Sequence, residues 1–338
     1  MLLTDYTYYQ GDSAITAMYQ GDVKVYPLEP PVTNNKIYYT STGRTVVTPY
    51  YTGAQTFGAS IVSNTYSDRG IIEFNKCVTL IGYKAFRECT SLSSIEIPNS
   101  VTTIGEQAFY YCLSLYSITI PDSVRSIGVN AFGYCDSLSS VMIPDSVTSI
   151  GRDAFHDCIR LSSVTIGSGV TSIGEYAFAY CENLSSITIP DSVTSIGEHA
   201  FGWCYSLYSV TIGSGITSIE SDTFTYCKNL SLITIPDSVT SIGEYAFRDC
   251  DGLSSITIPD SVTTIGRNAF WGCTNLSSVT IGSGVTSIGI EAFYACASLS
   301  SIIYNNTMAQ WATITKGTRW HSSAPATVVH CTDGDVPI

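Results

Sequence analysis

Ten cysteines recur every 23 residues, and thiols are among the most reactive side chains in this sequence. Each closes the motif A-F-x-x-C, with Thr223 in place of alanine in one copy, and they are Cys89, Cys112, Cys135, Cys158, Cys181, Cys204, Cys227, Cys250, Cys273 and Cys296. Thiolates bind metals and pair as disulfides, yet there is no CxxC and no histidine at ligand spacing. One cysteine per identical unit predicts a single stacked column, whose parallel side chains suit disulfide geometry poorly. We therefore expect no metal, and free, buried thiols that act as small apolar groups.

The other polar residues do not assemble a recognisable active site. The histidines are His156, His199, His321 and His330. No G-x-S-x-G, H-E-x-x-H or phosphate-loop motif occurs in the sequence. Asp153 and Asp157 could in principle support glycoside hydrolysis, but nothing predicts a cleft around them. We expect no enzyme, no catalytic residue and no cofactor.

A row of aspartates follows the proline of several repeats. Its members are Asp122, Asp145, Asp191, Asp237 and Asp260. Stacked carboxylates can collect calcium, but each copy offers only one and the row is interrupted. Local capping of the turn is the favoured interpretation.

One copy of the repeat shows which elements position these residues. Ser94–Ile97 alternates and is rich in β-branched residues, which predicts a short strand with the isoleucines inward. Pro98–Ser100 is the turn, because proline cannot continue a strand ladder. A second extended piece ends at Gly105. Ala108, Phe109 and Cys112 then suit one helical turn with those side chains inward.

The inward positions barely vary, which predicts stacked columns. The phenylalanine column is Phe86, Phe109, Phe132, Phe155, Phe178, Phe201, Phe224, Phe247, Phe270 and Phe293. A glycine column runs from Gly82 to Gly289, and we expect it to adopt positive φ or to allow a close approach of backbones. Glu220 replaces this glycine once, so we expect a local irregularity there.

The unit L-x-x-I-x-I-P-x-x-V-x-x-I-G-x-x-A-F-x-x-C strongly resembles the BspA-like leucine-rich repeats of bacterial surface proteins. The match covers residues 69–304 and is specific, since every scaffold letter repeats many times. The resemblance implies a curved, right-handed solenoid with a parallel sheet on one side and a role in adhesion, without catalytic residues. The expected fold is a leucine-rich-repeat-like coil of about ten 23-residue units with short parallel β-strands and short helical turns.

The ends of the coil differ from the repeat, as exposed terminal units must. Residues 36–68 predict an N-terminal β cap with strands at Ile37–Tyr39 and Thr45–Val47, and Gly70–Phe74 is expected to open the first coil. Residues 305–338 predict a C-terminal cap. It contains a short helix from Thr307 to Trp311 and a final strand at Ala326–Cys331.

Residues 1–27 carry a different, smaller repeat built around Q-G-D turns, which predicts two hairpin strands. Residues 28–35 follow as a stiff, proline-containing linker. The pattern Y-x-G-D…V-x-V-Y resembles short attachment segments of phage virion and tail proteins. That resemblance implies virion-anchoring contacts through the hairpin residues Tyr8, Tyr9, Tyr19, Val25 and Tyr26.

Charge and hydropathy exclude two classes of partner. The net charge is −13, without a lysine or arginine cluster, which disfavours nucleic acid and anionic membranes. No apolar run is long enough to insert into a membrane. The N-terminus lacks the pattern of a secretory signal.

Two outward-facing surfaces could bind a partner. Aromatic side chains beside the A-F motif resemble a paratope, although they could instead cover the coil and pack on neighbours. The candidate ligand-binding residues are Tyr110, Tyr134, Tyr176, Tyr180, Trp203, Tyr205, Tyr226, Tyr245, Trp271 and Tyr294. The second surface is a face of stacked serines and threonines, for which strand propensity is a sufficient reason.

These observations favour a non-catalytic binding solenoid. The first hypothesis is a tail-associated phage virion protein that engages a host surface protein or glycan and contacts other virion proteins through residues 1–27. This hypothesis leaves a homo-oligomer open. The alternatives are a BspA-like adhesin on a bacterial cell surface and a virion decoration or spacer without a ligand.

Overall fold

The computed structural model describes residues 18–20, 23–25 and 34–338, and its architecture follows from stacking of the repeat. The first elements are β1 (Met18–Gln20), β2 (Val23–Val25), β3 (Lys36–Ser41), α1 (Ala54–Phe57), β4 (Ile61–Tyr66) and β5 (Gly70–Phe74). Short strands then alternate through the coils: β6 (Leu80–Ile81), β7 (Leu92–Glu96), β8 (Thr103–Ile104), β9 (Ser117–Thr119), β10 (Ser126–Ile127), β11 (Ser140–Ile143), β12 (Ser149–Ile150), β13 (Ser163–Ile166), β14 (Ser172–Ile173), β15 (Ser186–Ile189), β16 (Ser195–Ile196), β17 (Ser209–Ile212), β18 (Ser218–Ile219), β19 (Leu232–Thr234), β20 (Ser241–Ile242), β21 (Ser255–Ile258), β22 (Thr264–Ile265), β23 (Ser278–Ile281) and β24 (Ser287–Ile288). The chain closes with β25 (Ser301–Tyr304), α2 (Met308–Thr313), β26 (Thr315–Lys316), β27 (Val328–Cys331) and β28 (Gly334–Pro337).

The coils form a parallel-stranded β-solenoid of about 11 turns with little helix, which confirms the predicted fold class. Each coil contributes one longer strand and one two-residue strand, and where neighbouring strands pair they do so in register with their equivalents 23 residues away. The longer strands form several separate sheets, such as β11-β13 and β15-β17-β19. In β11, Val141 and Ile143 are buried while Ser140 and Met142 are exposed, because successive side chains of a strand face opposite sides.

The A-F-x-x-C segment folds as two successive turns rather than as the expected helical turn. The Phe109 N–H donates to the Ala131 carbonyl of the next coil, 2.7 Å away, whereas the Cys112 N–H donates to the Phe109 carbonyl at 3.2 Å. Gln107 and Tyr111 both have positive φ, 55° and 61°. Alternate amides thus bond between coils, so the i→i−4 bonds of an α-helix cannot form.

Phenylalanine and cysteine build the centre of the coil. Successive phenylalanine rings stack nearly parallel, for example at 5.2 Å between Phe155 and Phe178. Each cysteine from Cys112 to Cys296 donates its thiol proton to the carbonyl of the phenylalanine 26 residues earlier, as from Cys181 Sγ to Phe155 O at 3.3 Å. All these thiols are free, as expected from the sequence.

The recurring glycine allows two backbones to approach closely. A Cβ on Gly197 would lie 2.4 Å from the Glu175 nitrogen, and one on Gly174 would lie 2.5 Å from the Arg152 nitrogen. Neither glycine has positive φ. Of the two expected reasons for glycine, close approach is the one that applies.

Glu220 interrupts this stack, as its replacement of glycine predicted. The regular bond runs from the glycine amide to an isoleucine carbonyl of the preceding coil, as from Gly243 to Ile219 at 2.7 Å. The equivalent bond from Glu220 to Ile196 is not formed within the described part of the chain. Strands β16 and β18 do not pair, so the two-residue strands make two separate sheets. A side chain at this position prevents the close approach.

A second contact between coils, which we name the Asp–Ser clamp, explains why each Gly-Ser-Gly turn follows a coil with a Pro-Asp-Ser turn. Asp145 Oδ1 accepts hydrogen bonds from the Ser168 backbone N–H (2.6 Å) and hydroxyl (3.0 Å). Equivalent contacts join Asp191 to Ser214 and Asp260 to Ser283. Three of the five aspartates therefore cap a turn, but it is the turn of the next coil and not their own as expected.

The N-terminal cap closes one end of the sheet differently from the expectation. Strand β3 lies between β5 and β7 and is antiparallel to both, so Gly70–Phe74 belongs to the cap sheet rather than to the first coil. Thr45–Val47 is not a strand. The Val47 N–H donates to Tyr39 Oη (3.1 Å) and its carbonyl accepts from Asn64 Nδ2 (2.9 Å), so side chains replace the ladder bonds.

The C-terminal cap contains the expected helix, whose Thr307 hydroxyl accepts from the Gln310 N–H at 3.3 Å. Strand β27 pairs parallel with β25, as the expected final strand. One more strand follows, since β28 turns back antiparallel on β27. No helix in the described residues is long and apolar enough to cross a membrane.

Candidate binding ridge

Side chains beside the A-F-x-x-C turns form a continuous row along the solenoid, which we name the aromatic ridge. Its members are Tyr110, Tyr111, Tyr134, His156, Tyr176, Tyr180, His199, Trp203, Tyr226, Tyr245, Arg248, Trp271 and Tyr294. They come from two places in each coil, the residue before the inward alanine and the two residues after the phenylalanine. Backbone bonds between coils fix both places, so the ridge has the regularity of the scaffold.

The rings at the centre of the ridge stack face to face. Tyr176 and His199 lie 4.5 Å apart at 14°, and Tyr180 and Trp203 lie 4.7 Å apart at 2°. His199 also stacks on Trp203 at 5.4 Å, and Tyr226 continues the row beyond Trp203 at 6.0 Å. Because ring faces contact ring faces, the surface presents ring edges and tyrosine hydroxyls.

Arginines complete the row where a ring is absent. The Arg248 guanidinium lies 5.2 Å from the Tyr226 ring and 4.8 Å from the Trp271 ring, and its Nε is 3.1 Å from Asp249 Oδ2. At one end, Arg87 lies 5.5 Å from the Tyr110 ring. Cation–π contact and an adjacent carboxylate together hold these guanidinium groups.

Of the two residues after each phenylalanine, usually only one has a large side chain that reaches the ridge. Where the first is small, the second is aromatic, as in Gly133-Tyr134, Ala179-Tyr180 and Gly202-Trp203. Where the first is large, the second is acidic or small, as in Arg248-Asp249, Trp271-Gly272 and Tyr294-Ala295. Tyr110-Tyr111 carries two rings, which contact each other at 5.0 Å. Each coil therefore supplies at least one large side chain to the ridge.

Many of these bulky residues occupy an unfavourable backbone conformation. Tyr176, Tyr180, His199 and Trp203 have φ between 54° and 60°, in the left-handed region. A non-glycine residue there costs roughly 1–2 kcal/mol. Glycine occupies the same place in another coil as Gly272, with φ of 74°. Stacking offsets part of this cost. The requirements of the backbone alone therefore do not explain why bulky side chains occupy these positions.

Burial shapes the electrostatics of the ridge. It raises the pKa of Tyr134 and Tyr180, and the nearby Asp157 carboxylate raises both further. Burial also lowers the pKa of His156, so this imidazole is neutral at neutral pH. Asp222 has a raised pKa from desolvation, which the neighbouring His199 opposes with its Nε2 3.7 Å away.

The structure brings most of the predicted ligand-binding residues together. Tyr110, Tyr134, Tyr176, Tyr180, Trp203, Tyr226, Trp271 and Tyr294 lie in the row of stacked rings, and Tyr245 contacts Arg248. Tyr205 lies apart from the row, near Lys228 at 5.8 Å. All are half-buried. The arginines Arg87 and Arg319 were missed, although their positions relative to the repeat could have indicated them.

The predicted anchoring residues cannot be compared in the same way. Tyr8, Tyr9 and Tyr26 lie outside the described residues. Tyr19 and Val25 lie in β1 and β2, which pair as an antiparallel hairpin.

No described part of the chain collects the groups of an active site. No group of three or more His, Cys, Asp and Glu residues there could hold a metal ion. Asp153 is paired with Arg152 at 3.1 Å, which engages one of the two carboxylates considered for hydrolysis. A shallow surface concavity of about 450 Å³ lies between β19 and β21 and is lined by Thr234, Asp237 and Thr257.

A solenoid of 23-residue coils with inward leucine, isoleucine and phenylalanine columns defines the class of leucine-rich-repeat proteins. The family model for the BspA type leucine rich repeat region matches residues 60–184, 125–250 and 217–313. The chain belongs to this family. The match indicates no enzyme family. No curated protein is similar enough to the chain to count as a relative.

Several solved structures are similar to the chain. A leucine rich cell surface protein from Faecalibacterium prausnitzii A2-165 is 29% identical, over 84% of this chain and 97% of that one, with a TM-score of 0.38. A leucine-rich repeat protein from Bacteroides ovatus is 26% identical over 77% and 89%, with a TM-score of 0.38. The T. pallidum leucine rich repeat protein is 26% identical over 69% and 92%, with a TM-score of 0.43.

Proposed function

We propose that the protein is a non-catalytic recognition solenoid whose aromatic ridge binds a partner at a cell surface. The carrying observation is the unbroken ridge of aromatic and arginine side chains, which the fold itself does not require. Tyr180 and Trp203 hold large rings in a backbone conformation that glycine adopts at lower cost. Adhesion is also the role that the BspA-like resemblance implies.

The exposed chemistry of the ridge favours a protein partner over a glycan. A sugar ring stacks on a free aromatic face, but the central faces are covered by one another at 4.5–4.7 Å. Ring edges and hydroxyl groups remain available, interspersed with carboxylates and guanidinium groups. This mixture resembles the surfaces of antibody loops, where rigid aromatic side chains bind at low entropic cost.

The decisive test removes three ridge rings together: Tyr180→Ala, Trp203→Ala and Trp271→Ala. Residues 36–338 with these changes should lose binding to intact gut-type bacterial cells, measured by pull-down beside a glycan array. The matched control is Tyr116→Ala with Tyr208→Ala, which removes two rings that are 53% and 51% exposed and lie outside the ridge. The control should bind as the unmodified chain does.

Unchanged cell binding by the triple variant would overturn the role of the ridge. Absence of binding by the unmodified chain to any cell or glycan would favour a spacer without a ligand. Far-ultraviolet circular dichroism separates both results from misfolding, because a solenoid that loses its coils loses its β signal.

A finer form of the proposal places the solenoid on a phage tail, with residues 1–27 contacting other virion proteins. Its support is the short segment around Tyr8, Tyr9 and Tyr19, together with the following linker. Mass spectrometry of purified particles tests this form, and absence of the chain from them would leave the bacterial-surface adhesin as the setting. Light scattering of the purified chain tests the accompanying proposal of a homo-oligomer.

A further inference from the structure

The ridge contains one place where an acidic residue lacks the arginine that accompanies it elsewhere. After two phenylalanines, arginine is followed by a carboxylate, in Arg87-Glu88 and Arg248-Asp249. In both pairs the guanidinium binds its neighbour's carboxylate, at 3.0 Å and 3.1 Å. The coil that ends at Cys158 has histidine instead, in His156-Asp157.

The rings that flank this place are spaced as they are around Arg248. Tyr226 and Trp271 lie two coils apart, with the Arg248 guanidinium 5.2 Å and 4.8 Å from their centres. Tyr134 and Tyr180 are also two coils apart, which is about 10 Å at the usual spacing of stacked strands. The same interval therefore separates both pairs of rings.

Histidine occupies this interval in the place that arginine takes in the other coil. The His156 ring lies 5.4 Å from both Tyr134 and Tyr180, tilted by 54° and 63°. Its side chain is shorter than arginine, and its lowered pKa leaves it without charge at neutral pH. Asp157 is half-buried at the surface of the ridge, beside these rings.

No cation within the described residues neutralises this carboxylate. Asp157 makes no side-chain hydrogen bond or ion pair there. Asp136 lies close enough for the Asp157 charge to raise its pKa, in addition to the larger effect of burial. The exposed Arg160 lowers the pKa of Asp136, but it forms no ion pair with either carboxylate in residues 34–338. Asp157 is thus a half-buried carboxylate without a cationic partner, beside two tyrosine rings.

We infer that Tyr134, His156, Asp157 and Tyr180, which we name the Asp157 notch, receive an arginine side chain from the protein partner of the ridge. The guanidinium pairs with the Asp157 carboxylate from the solvent side, beside Tyr134 and Tyr180, as Arg248 pairs with Asp249 beside the rings of the two neighbouring coils. The negative net charge of the chain complements a basic segment. This inference rests on the proposed function and names the chemistry of its partner.

The probe is a fluorescent peptide of repeated Gly-Ser-Arg units, compared by anisotropy with its lysine and citrulline counterparts at physiological ionic strength. The arginine peptide should bind best, because a planar guanidinium both stacks and pairs bidentately. Asp157→Asn should weaken its binding about tenfold, which is typical for one charge-assisted contact. His156→Arg should weaken it similarly, since the new side chain copies Arg248 and pairs with the Asp157 carboxylate from within the chain.

Asp237→Asn is the matched control, because it removes the same charge from an exposed turn away from the ridge and should leave binding unchanged. Equal loss in Asp157→Asn and Asp237→Asn, or equal affinity for arginine and lysine peptides, would overturn the notch. Cell binding lost in the triple aromatic variant but retained in Asp157→Asn and His156→Arg would refute the notch alone. Loss in all three would support both proposals.

Discussion

A thiol that reaches a backbone carbonyl explains why cysteine, rather than alanine, recurs at the end of A-F-x-x-C. The Cys204 thiol is fully buried and donates to the Phe178 carbonyl at 3.2 Å, and burial raises its pKa to about 12. It fills the space of a small apolar side chain and also satisfies a buried acceptor. The sequence indicated the filler role through spacing alone. It gave no sign of the hydrogen bond, because the acceptor lies 26 residues earlier in the chain.

Thiol titration under native conditions should separate the cysteines by exposure. Cys77 is exposed and should react quickly with a disulfide reagent, and the half-buried Cys331 should react more slowly. The ten buried thiols should react only on unfolding, since the thiolate is the nucleophile and their raised pKa keeps it scarce. Cys77→Ser should remove the fast phase. Rapid reaction of many thiols in the native chain would show that the column is open to solvent.

At the scale of elements, Glu220 determines where the ladder of two-residue strands divides. The same coil has Thr223 in place of the inward alanine, and the Thr223 hydroxyl donates to the Glu220 carbonyl at 2.8 Å. The longer strands β15, β17 and β19 remain paired across this position. At this interface only the two-residue strands separate, and the longer strands stay paired.

Glu220→Gly should close the ladder by restoring the amide bond to Ile196. Each restored backbone bond contributes about 1 kcal/mol, and the added glycine costs about as much in conformational entropy. The clearest result is therefore slower hydrogen exchange at positions 217–220, with a small change in Tm. Glu244→Gly is the control, because it adds glycine beside Gly243 at an exposed position where the ladder is intact. Equal exchange rates before and after Glu220→Gly would contradict this account.

Some elements were predictable from the sequence and others were not, for physical reasons. The strands, the inward columns and the interruption at Glu220 follow from period and side-chain shape. The turn conformation of A-F-x-x-C does not follow from them. Its inward residues are spaced as in a helix, although alternate amides of the segment bond to the next coil. Thr45–Val47 has strand propensity, but the side chains of Tyr39 and Asn64 bind its backbone instead.

At the scale of the whole molecule, each coil contacts only its neighbours. The free energy of unfolding is therefore approximately a sum over the coils and the interfaces between them. The interface between β16 and β18 lacks its short-strand pairing. The phenylalanine column crosses it, with Phe201 and Phe224 stacked at 5.7 Å, and the ridge crosses it through Trp203 and Tyr226. The aromatic ridge therefore also joins the two parts of the solenoid.

Unfolding in denaturant should begin at this interface and should not be a single two-state transition. Hydrogen exchange by mass spectrometry should show peptides around residues 195–197 and 218–220 losing protection before those of other coils. The triple ridge variant should enhance this effect, and Glu220→Gly should reduce it. Uniform loss of protection along the chain would indicate that the interface is as stable as the rest.

The position of the ridge was predictable from the sequence, because residues near the A-F motif vary in type while the scaffold does not. Its continuity was not predictable. Ring stacking between Tyr176 and His199, or between Tyr180 and Trp203, depends on left-handed backbone at non-glycine residues, for which a single sequence offers little signal.

The Asp–Ser clamp has a consequence for how such a chain changes length. Nearly identical 23-residue units invite unequal recombination between gene copies, which adds or deletes coils. Exchange of a single unit can separate Asp145 from Ser168 and leave a Gly-Ser-Gly turn beside the wrong neighbour. Exchange of adjacent pairs preserves the clamp and lengthens the ridge by two side-chain positions. Gain or loss of coils in adjacent pairs would therefore change the length of the solenoid and leave the packing between its coils unchanged.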